Sequence, residues 1–278
     1  MAATTMAIKI ASGDCHAAPE MWDRICSTLA EHRTLFLFAD FDGTLSEIAE
    51  IPSGAVLDPE AERALRRLCA RPRISLAIIS GRSVDDAAAR VGLPLVYAGD
   101  HGIEIHAPDF DFIHPEADSI RKRLPELANH LRLATRDMPG VLVEVKRFSA
   151  SVHYRQAPPD SLPAVRSAIT PCLDDSMFEI RHGDCVLEVR PRLNWGKGEA
   201  VAWLLSRAGG NPEQAICIGD DQTDEDMFRR LPEATTIRVS SDEGEPTAAR
   251  YLFRREAVSG FLHGLADIAE AFGDSVRR

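Results

Sequence analysis

At 278 residues the chain is too long for one minimal core and suits one large domain or two. A formal net charge of −11 argues against nucleic acid or an anionic membrane surface as the main partner, while an anionic small substrate needs only a local cationic pocket. The six cysteines (Cys15, Cys26, Cys69, Cys172, Cys185, Cys217) include no C-x-x-C pair, which disfavours a zinc site or a disulfide frame, and no apolar run reaches the ~18 residues that span a bilayer. Residues 1–20 lack the apolar core of a secretory signal, so a cytoplasmic location is expected.

Residues 1–20 are small and aperiodic and read as a loose tail. Trp22, Ile25, Cys26 and Leu29 then follow the spacing of one helix face. Leu35-Phe36-Leu37-Phe38-Ala39 reads as a buried parallel strand and runs into Asp40-Phe41-Asp42-Gly43-Thr44. Two carboxylates thus leave the carboxyl end of a strand, the edge where open α/β sheets bind ligands. Without a basic neighbour, such a pair calls for a cation. Asp58-Pro59 opens a helix. A second strand at 74–79 ends in Ser80-Gly81-Arg82, and Ser83 with Asp86 can cap the next helix. Taken alone, this turn fits an ordinary strand-to-helix junction as well as an anion site at a helix N-terminus. A third strand at 95–98 leads to Gly99-Asp100-His101-Gly102, where a lone histidine reads more readily as structural than as catalytic.

The pattern changes at about residue 107. A charged helix over 116–136, interrupted or kinked at Pro125, precedes alternating strand-like sequence over 141–155, with a turn expected near 147–150. Glu144 and Lys146 share one strand face, as do His153 and Arg155. The Glu144–Lys146 spacing alone fits a solvated ion pair equally well. A helix over 160–169 and strands at 178–181 and 186–190 around His182-Gly183-Asp184 complete an inserted α+β unit. The alternating pattern resumes at Asn194-Trp195-Gly196-Lys197-Gly198. This is not a P-loop, because Pro191 stands where that motif needs glycine. A strand at 215–218 then meets Gly219-Asp220-Asp221-Gln222-Thr223-Asp224-Glu225-Asp226, whose five acids in seven residues form a metal signal. A last strand at 236–240 and a helix over 256–272 close the chain. The expected organisation is a tail and lead-in helix at 1–31, core at 32–106, insertion at 107–186 and core again at 187–278.

In this order, Asp40-x-Asp42-Gly43-Thr44, Ser80, Lys197 and Gly219-Asp220-Asp221-x-x-Asp224 resemble the four motifs of the haloacid dehalogenase (HAD) phosphatase superfamily. The insertion between Ser80 and Lys197 resembles its C2-type cap. Across the chain, Gly99-Asp100-His101-Gly102-Ile103-Glu104, Val143-Glu144-Val145-Lys146, His153-Tyr154-Arg155 and Leu187-Glu188-Val189-Arg190-Pro191 are similar to the trehalose-6-phosphate phosphatase family, with Phe41 where many members have tyrosine.

The resemblance implies an α/β fold, a Rossmann-like parallel-sheet core with an inserted α+β cap. It implies Mg²⁺-dependent removal of phosphate from trehalose 6-phosphate to give trehalose, through an aspartyl-phosphate. Another C2-capped sugar phosphatase, such as a sucrose-phosphate phosphatase, or a phosphomannomutase-like enzyme is the alternative. Asp40 would be the nucleophile and Asp42 the general acid and base. Ser80 and Lys197 would hold phosphoryl oxygens. Gly43, Thr44, Gly81, Arg82, His101, Glu144, Lys146, Arg155 and Glu188 would bind substrate. Asp40, Asp42 through its backbone carbonyl, Asp220 and Asp224 would hold Mg²⁺. The partner implied is a small sugar phosphate, with neither nucleic acid nor membrane, and a monomer is expected.

Overall fold

The computed structural model describes residues 19–274 apart from 33, 50, 184 and 243–245. The expected tail up to residue 18, Cys15 and Asp184 of the expected turn lie outside the described residues.

Helix α1 (Pro19–His32) leads into β1 (Leu35–Ala39), all of whose residues are buried. Then come α2 (Pro59–Cys69), β2 (Ile74–Ile79), α3 (Val84–Val91) and β3 (Val96–Gly99). Asp58 caps α2 by accepting from the Glu60 and Ala61 N–H groups, and Ser83 caps α3 by accepting from Asp86 N–H. After the insertion follow α6 (Lys197–Arg207), β10 (Ala215–Gly219), α7 (Asp224–Arg230), β11 (Thr235–Val239), β12 (Tyr251–Phe253) and α8 (Ala257–Asp274).

The core strands form one sheet in the order β12-β11-β10-β1-β2-β3, all parallel, extended antiparallel by β4 (Glu104–Ala107) and β5 (Phe110–Ile113). Period-2 alternation explains why β1 is apolar throughout. Leu35 and Leu37 face α1, α2, α3 and α8, while Phe36 and Phe38 face α6 and α7. β1 lies at the centre, so the residues leaving its carboxyl end sit at the middle of the sheet edge.

The inserted unit contains α4 (Ala117–Thr135), β6 (Leu142–Val145), β7 (Ala150–His153), α5 (Leu162–Ile169), β8 (Phe178–Gly183) and β9 (Val186–Pro191). Its antiparallel sheet has the order β6-β7-β9-β8, and Ile120, Leu124, Leu127 and Leu131 of α4 pack on it. The helix runs uninterrupted through Pro125. Tertiary packing along this apolar face outweighs the backbone bond lost at one proline.

Both expected boundaries of the insertion shift. Residues 107–113 belong to the core sheet, because Phe110 and Phe112 turn onto Trp203 of α6. Residues 187–191 belong to the cap, because Leu187 and Val189 are buried in its apolar cluster and β9 pairs with β7 and β8. The strand expected last is followed by the three-residue β12, too short to show a period. Among the described residues no helix is long and apolar enough to cross a membrane.

Phe261 of α8 is fully buried, with its ring centroid 5.3 Å from Trp22 and 5.5 Å from Phe253. It ties α1 and β12 to one core. Phe261→Ala is expected to lower unfolding stability by about 3–5 kcal/mol in urea titration. A loss below ~1 kcal/mol would mean that α8 packs independently of that core.

Candidate active site

Asp40 stands one residue beyond β1, its N–H bonded to Ile218 O at 2.9 Å. Lys197, the first residue of α6, donates from Nζ to Asp40 Oδ1 and to Asp224 Oδ1, each at 2.7 Å. All three residues are buried. The other Asp224 oxygen accepts the N–H groups of Asp220 (2.9 Å) and Asp221 (3.0 Å), so one carboxylate orients both the lysine and the acidic loop. Two glycines make room for this. Gly219 must lack a side chain because a Cβ would fall 2.1 Å from Asp224 Cγ. Gly43 adopts φ +74°, and a Cβ there would fall 2.0 Å from Asp220 Oδ2.

Carboxylate oxygens of Asp40, Asp220 and Asp224 lie within 4.8 Å of one another. One buried ammonium faces three carboxylates. Burial, reinforced by the neighbouring acids, pushes Asp40 and Asp220 well above the usual carboxylate range. Burial also raises Asp224, against the pull of Lys197, to about 6. Burial opposes the charge of Lys197, but Asp224 and Asp40 outweigh it and hold the ammonium well above its ordinary value. Excess buried negative charge on hard oxygen donors fits a metal cation.

The Asp42 side chain stands apart from this group. Arg82 grips it with two bonds, Nε to Oδ2 at 2.7 Å and Nη2 to Oδ1 at 2.5 Å. The same guanidinium donates to Asp86 at 2.6 Å, and Arg90 closes the chain by donating to Asp86 at 2.8 Å. Arg82 thus pairs with two carboxylates while also lining the cavity described below. Sequence spacing supplies a cation here but not which anion it selects. Ser80 is fully buried behind it, its Oγ accepting the Arg82 N–H at 3.1 Å. Thr44 is also fully buried, and its Oγ1 has no hydrogen-bond partner among the described residues.

The cap closes over this edge. Glu144, Lys146, Arg155 and Glu188 line a cavity of about 190 Å³ together with Asp40, Asp42, Gly81, Arg82, His101, Lys197 and Asp220. Gly43, Thr44, Ser80 and Asp224 are not on its wall. Lys146 Nζ donates to Gly81 O at 2.8 Å and lies 3.8 Å from Glu188. Glu144 is 2.8 Å from His153 Nε2, a contact that holds its carboxyl below the usual range. Burial disfavours the charge of Glu188, yet a hydrogen bond from the His101 ring together with the charges of Lys146 and Arg190 holds it well below that range. Ser151, His153, Asp221, Ile48 and Ala49 also line the cavity and were not among the expected site residues. Alternation along β7 puts Ser151 on the face of His153, a signal that could have found it. Ile48 and Ala49 bear no chemical signature.

The family model described as trehalose-phosphatase matches residues 38–255. A trehalose-phosphate phosphatase of Mycobacterium tuberculosis (strain H37Rv) is 40% identical over 222 residues, 77% of this chain and 56% of the relative. One of Mycobacterium avium (strain 104) is 34% identical over 255 residues, 87% of this chain and 63% of the relative. The chain thus spans a little over half the length of the curated relatives it matches. A solved trehalose-6-phosphate phosphatase of Aspergillus fumigatus is 28% identical, with a TM-score of 0.59 over 88% of this chain and 97% of that one.

His101 offers a test of the site's electrostatics. Its Nε2 lies 3.0 Å from Glu188, but burial, with Arg190 adding to it, lowers its pKa to about 4. Folded His101 is therefore neutral at pH 7. Unfolded histidine titrates near 6.5, so below that pH the unfolded chain binds a proton that the folded chain refuses until about 4. This contribution to stability is complete above pH 6.5 and is lost as pH falls. In urea unfolding, wild type is expected to lose about 1–2 kcal/mol more than His101→Asn between pH 7 and pH 5. Parallel pH dependence would mean that the imidazole is not held neutral.

Proposed function

The chain belongs to the trehalose-phosphatase family, and from that premise we propose that it hydrolyses trehalose 6-phosphate to trehalose and phosphate, with Mg²⁺, in the cytoplasm and as a monomer. The observation that carries this reading is the single cavity joining Asp40 and Lys197 to Glu144, Lys146, Arg155 and Glu188 of the cap. The core is a mostly parallel α/β sheet with an inserted cap, the architecture of the HAD phosphatases.

Phosphate monoesters hydrolyse extremely slowly in water, so catalysis depends on placing a nucleophile and neutralising a dianion. In this reading an Asp40 oxygen attacks phosphorus, and the bond from phosphorus to the sugar oxygen breaks. Asp42 protonates that oxygen, then takes a proton from the water that attacks the aspartyl-phosphate. The two-point grip of Arg82 fixes the direction of the Asp42 carboxylate. Lys197 neutralises phosphoryl oxygens from the start of α6, and Ser80, buried behind the cavity wall, supports the same end of the site through the Arg82 backbone. Bound at Asp40, Asp220 and the Asp42 carbonyl, beside Asp224, Mg²⁺ would supply positive charge against the dianion. Both Asp224 oxygens are already engaged, which favours it as the residue that orients Lys197 and the loop.

The cap supplies sugar selection. Charged side chains make strong directional bonds to hydroxyls, and a site built for particular hydroxyls rejects analogues that leave its polar groups unpaired. Phosphate release from a panel including trehalose 6-phosphate, sucrose 6-phosphate and glucose 6-phosphate tests the substrate. The highest kcat/KM is expected for trehalose 6-phosphate, and a clear preference for another sugar would redirect the proposal. Asp40→Asn should reduce turnover by at least ~10³-fold without unfolding the protein. A chelator should abolish turnover and Mg²⁺ restore it. Full activity in verified metal-free solution would contradict the metal assignment.

A further inference from the structure

Beyond β3, Asp100 and His101 are consecutive non-glycine residues in the left-handed region, at φ 46° and 58°, and both are buried. Aspartate and histidine tolerate this region better than most residues, but two in succession store backbone strain that neighbouring contacts must sustain. Asp100 Oδ2 adds to the cost, being buried with no hydrogen-bond partner among the described residues. A glycine at this position would relax the backbone and remove the orphaned oxygen.

What the strained pair holds is the cap. Ser149 Oγ donates to Asp100 Oδ1 at 2.7 Å, a contact spanning 49 positions of the chain. Ser149 closes the turn between β6 and β7, where Lys146 N–H donates to Ser149 O at 2.9 Å. The ammonium of that same Lys146 reaches back to Gly81 O at 2.8 Å, on the core side of the cavity. Just past the strained pair, Ile103 joins the cap's apolar cluster beside Phe148, and Glu104 pairs with Arg147. The loop therefore touches the turn at several successive residues, and Asp100 makes its only buried hydroxyl–carboxylate contact among the described residues.

We infer that Asp100 is a positioning residue for sugar recognition, fixing the β6–β7 turn through Ser149 so that Lys146 and Glu144 meet the sugar while the phosphate sits on Asp40. This rests on the substrate reading proposed above. Asp100 touches neither the cavity nor the reacting atoms, so its loss should be felt by a substrate that engages the cap and not by one that does not.

The test measures kcat and KM on trehalose 6-phosphate and on 4-nitrophenyl phosphate, with thermal midpoints, for wild type, Asp100→Gly, Asp100→Asn and Ser149→Ala. Asp100→Gly and Ser149→Ala are expected to lower kcat/KM on the sugar phosphate about 5- to 10-fold, mainly through KM, the worth of one such bond. Hydrolysis of the aryl phosphate should stay within ~2-fold. Asp100→Asn keeps both the acceptor and the tolerance for positive φ and should restore the sugar-phosphate kinetics. Asp100→Gly should lose specificity while melting close to wild type, because it sheds strain as it sheds the contact. Unchanged sugar-phosphate kinetics in both disruptive variants, or equal losses on both substrates, would overturn the inference. If Asp100→Gly does not fold, Ser149→Ala against Asp100→Asn still decides it. Wild type that cleaves the aryl phosphate but not trehalose 6-phosphate would overturn the substrate reading and this inference with it, a result visible before any variant is made.

Discussion

One buried ammonium holds the site together. Lys197 lies between Asp40 and Asp224 at 2.7 Å from each, and no other basic side chain is bonded to either carboxylate among the described residues. Removing one partner of such a buried pair leaves an uncompensated charge, so the three side chains act as a unit. Their positions come from three separate elements: the end of β1, the start of α6 and the start of α7. The parallel register of β1 with β10 brings two of these ends to the same sheet edge. Packing of α6 against α7 through Val201, Leu204, Met227 and Phe228 brings the third. The sheet is thus built to hold negative charge at a density that one lysine does not balance.

The cap answers a different constraint. Its apolar cluster takes in Ile103 from the core loop after β3, and its charged residues face core groups across the cavity. Lys146 on Gly81 O, His101 beside Glu188 and Ser149 on Asp100 all cross from one unit to the other. Polar contacts of this kind give direction at modest net gain, and they set which cap residues face the core across the cavity. Excluding water strengthens every charge interaction within the cavity.

Much of this was legible in the sequence, for a physical reason. A buried strand followed at once by acids is costly unless a cation arrives, so Asp40, Asp220 and Asp224 stand out wherever they fold, whereas Lys197 taken alone reads as a solvated surface lysine and joins them only through the order of the motifs. Caps at Asp58 and Ser83 were equally plain, because a side chain bonding its own helix start is a local event. The failures are non-local. Phe110-Asp111-Phe112 becomes a core strand only because Trp203 and Trp195 lie across from it. The alternation of Leu187 and Val189 with Glu188 marks a strand but not the sheet that accepts it. Arg82 was recognisable as a cation near the site, whereas its commitment to Asp42 depends on a neighbour forty positions away. Positive φ at Asp100 and His101 has no residue signature beyond a tolerance shared by many turns.

The central claim is that Asp40, held by Lys197, becomes covalently phosphorylated. Acid quench of the enzyme during turnover of trehalose 6-phosphate, reduction with borohydride and peptide mass mapping tests it directly. An acyl phosphate at position 40 is reduced to homoserine, which should be found there with substrate and be absent without it. Reduction at another carboxylate, or none at Asp40 under conditions where phosphate is being released, would contradict the account.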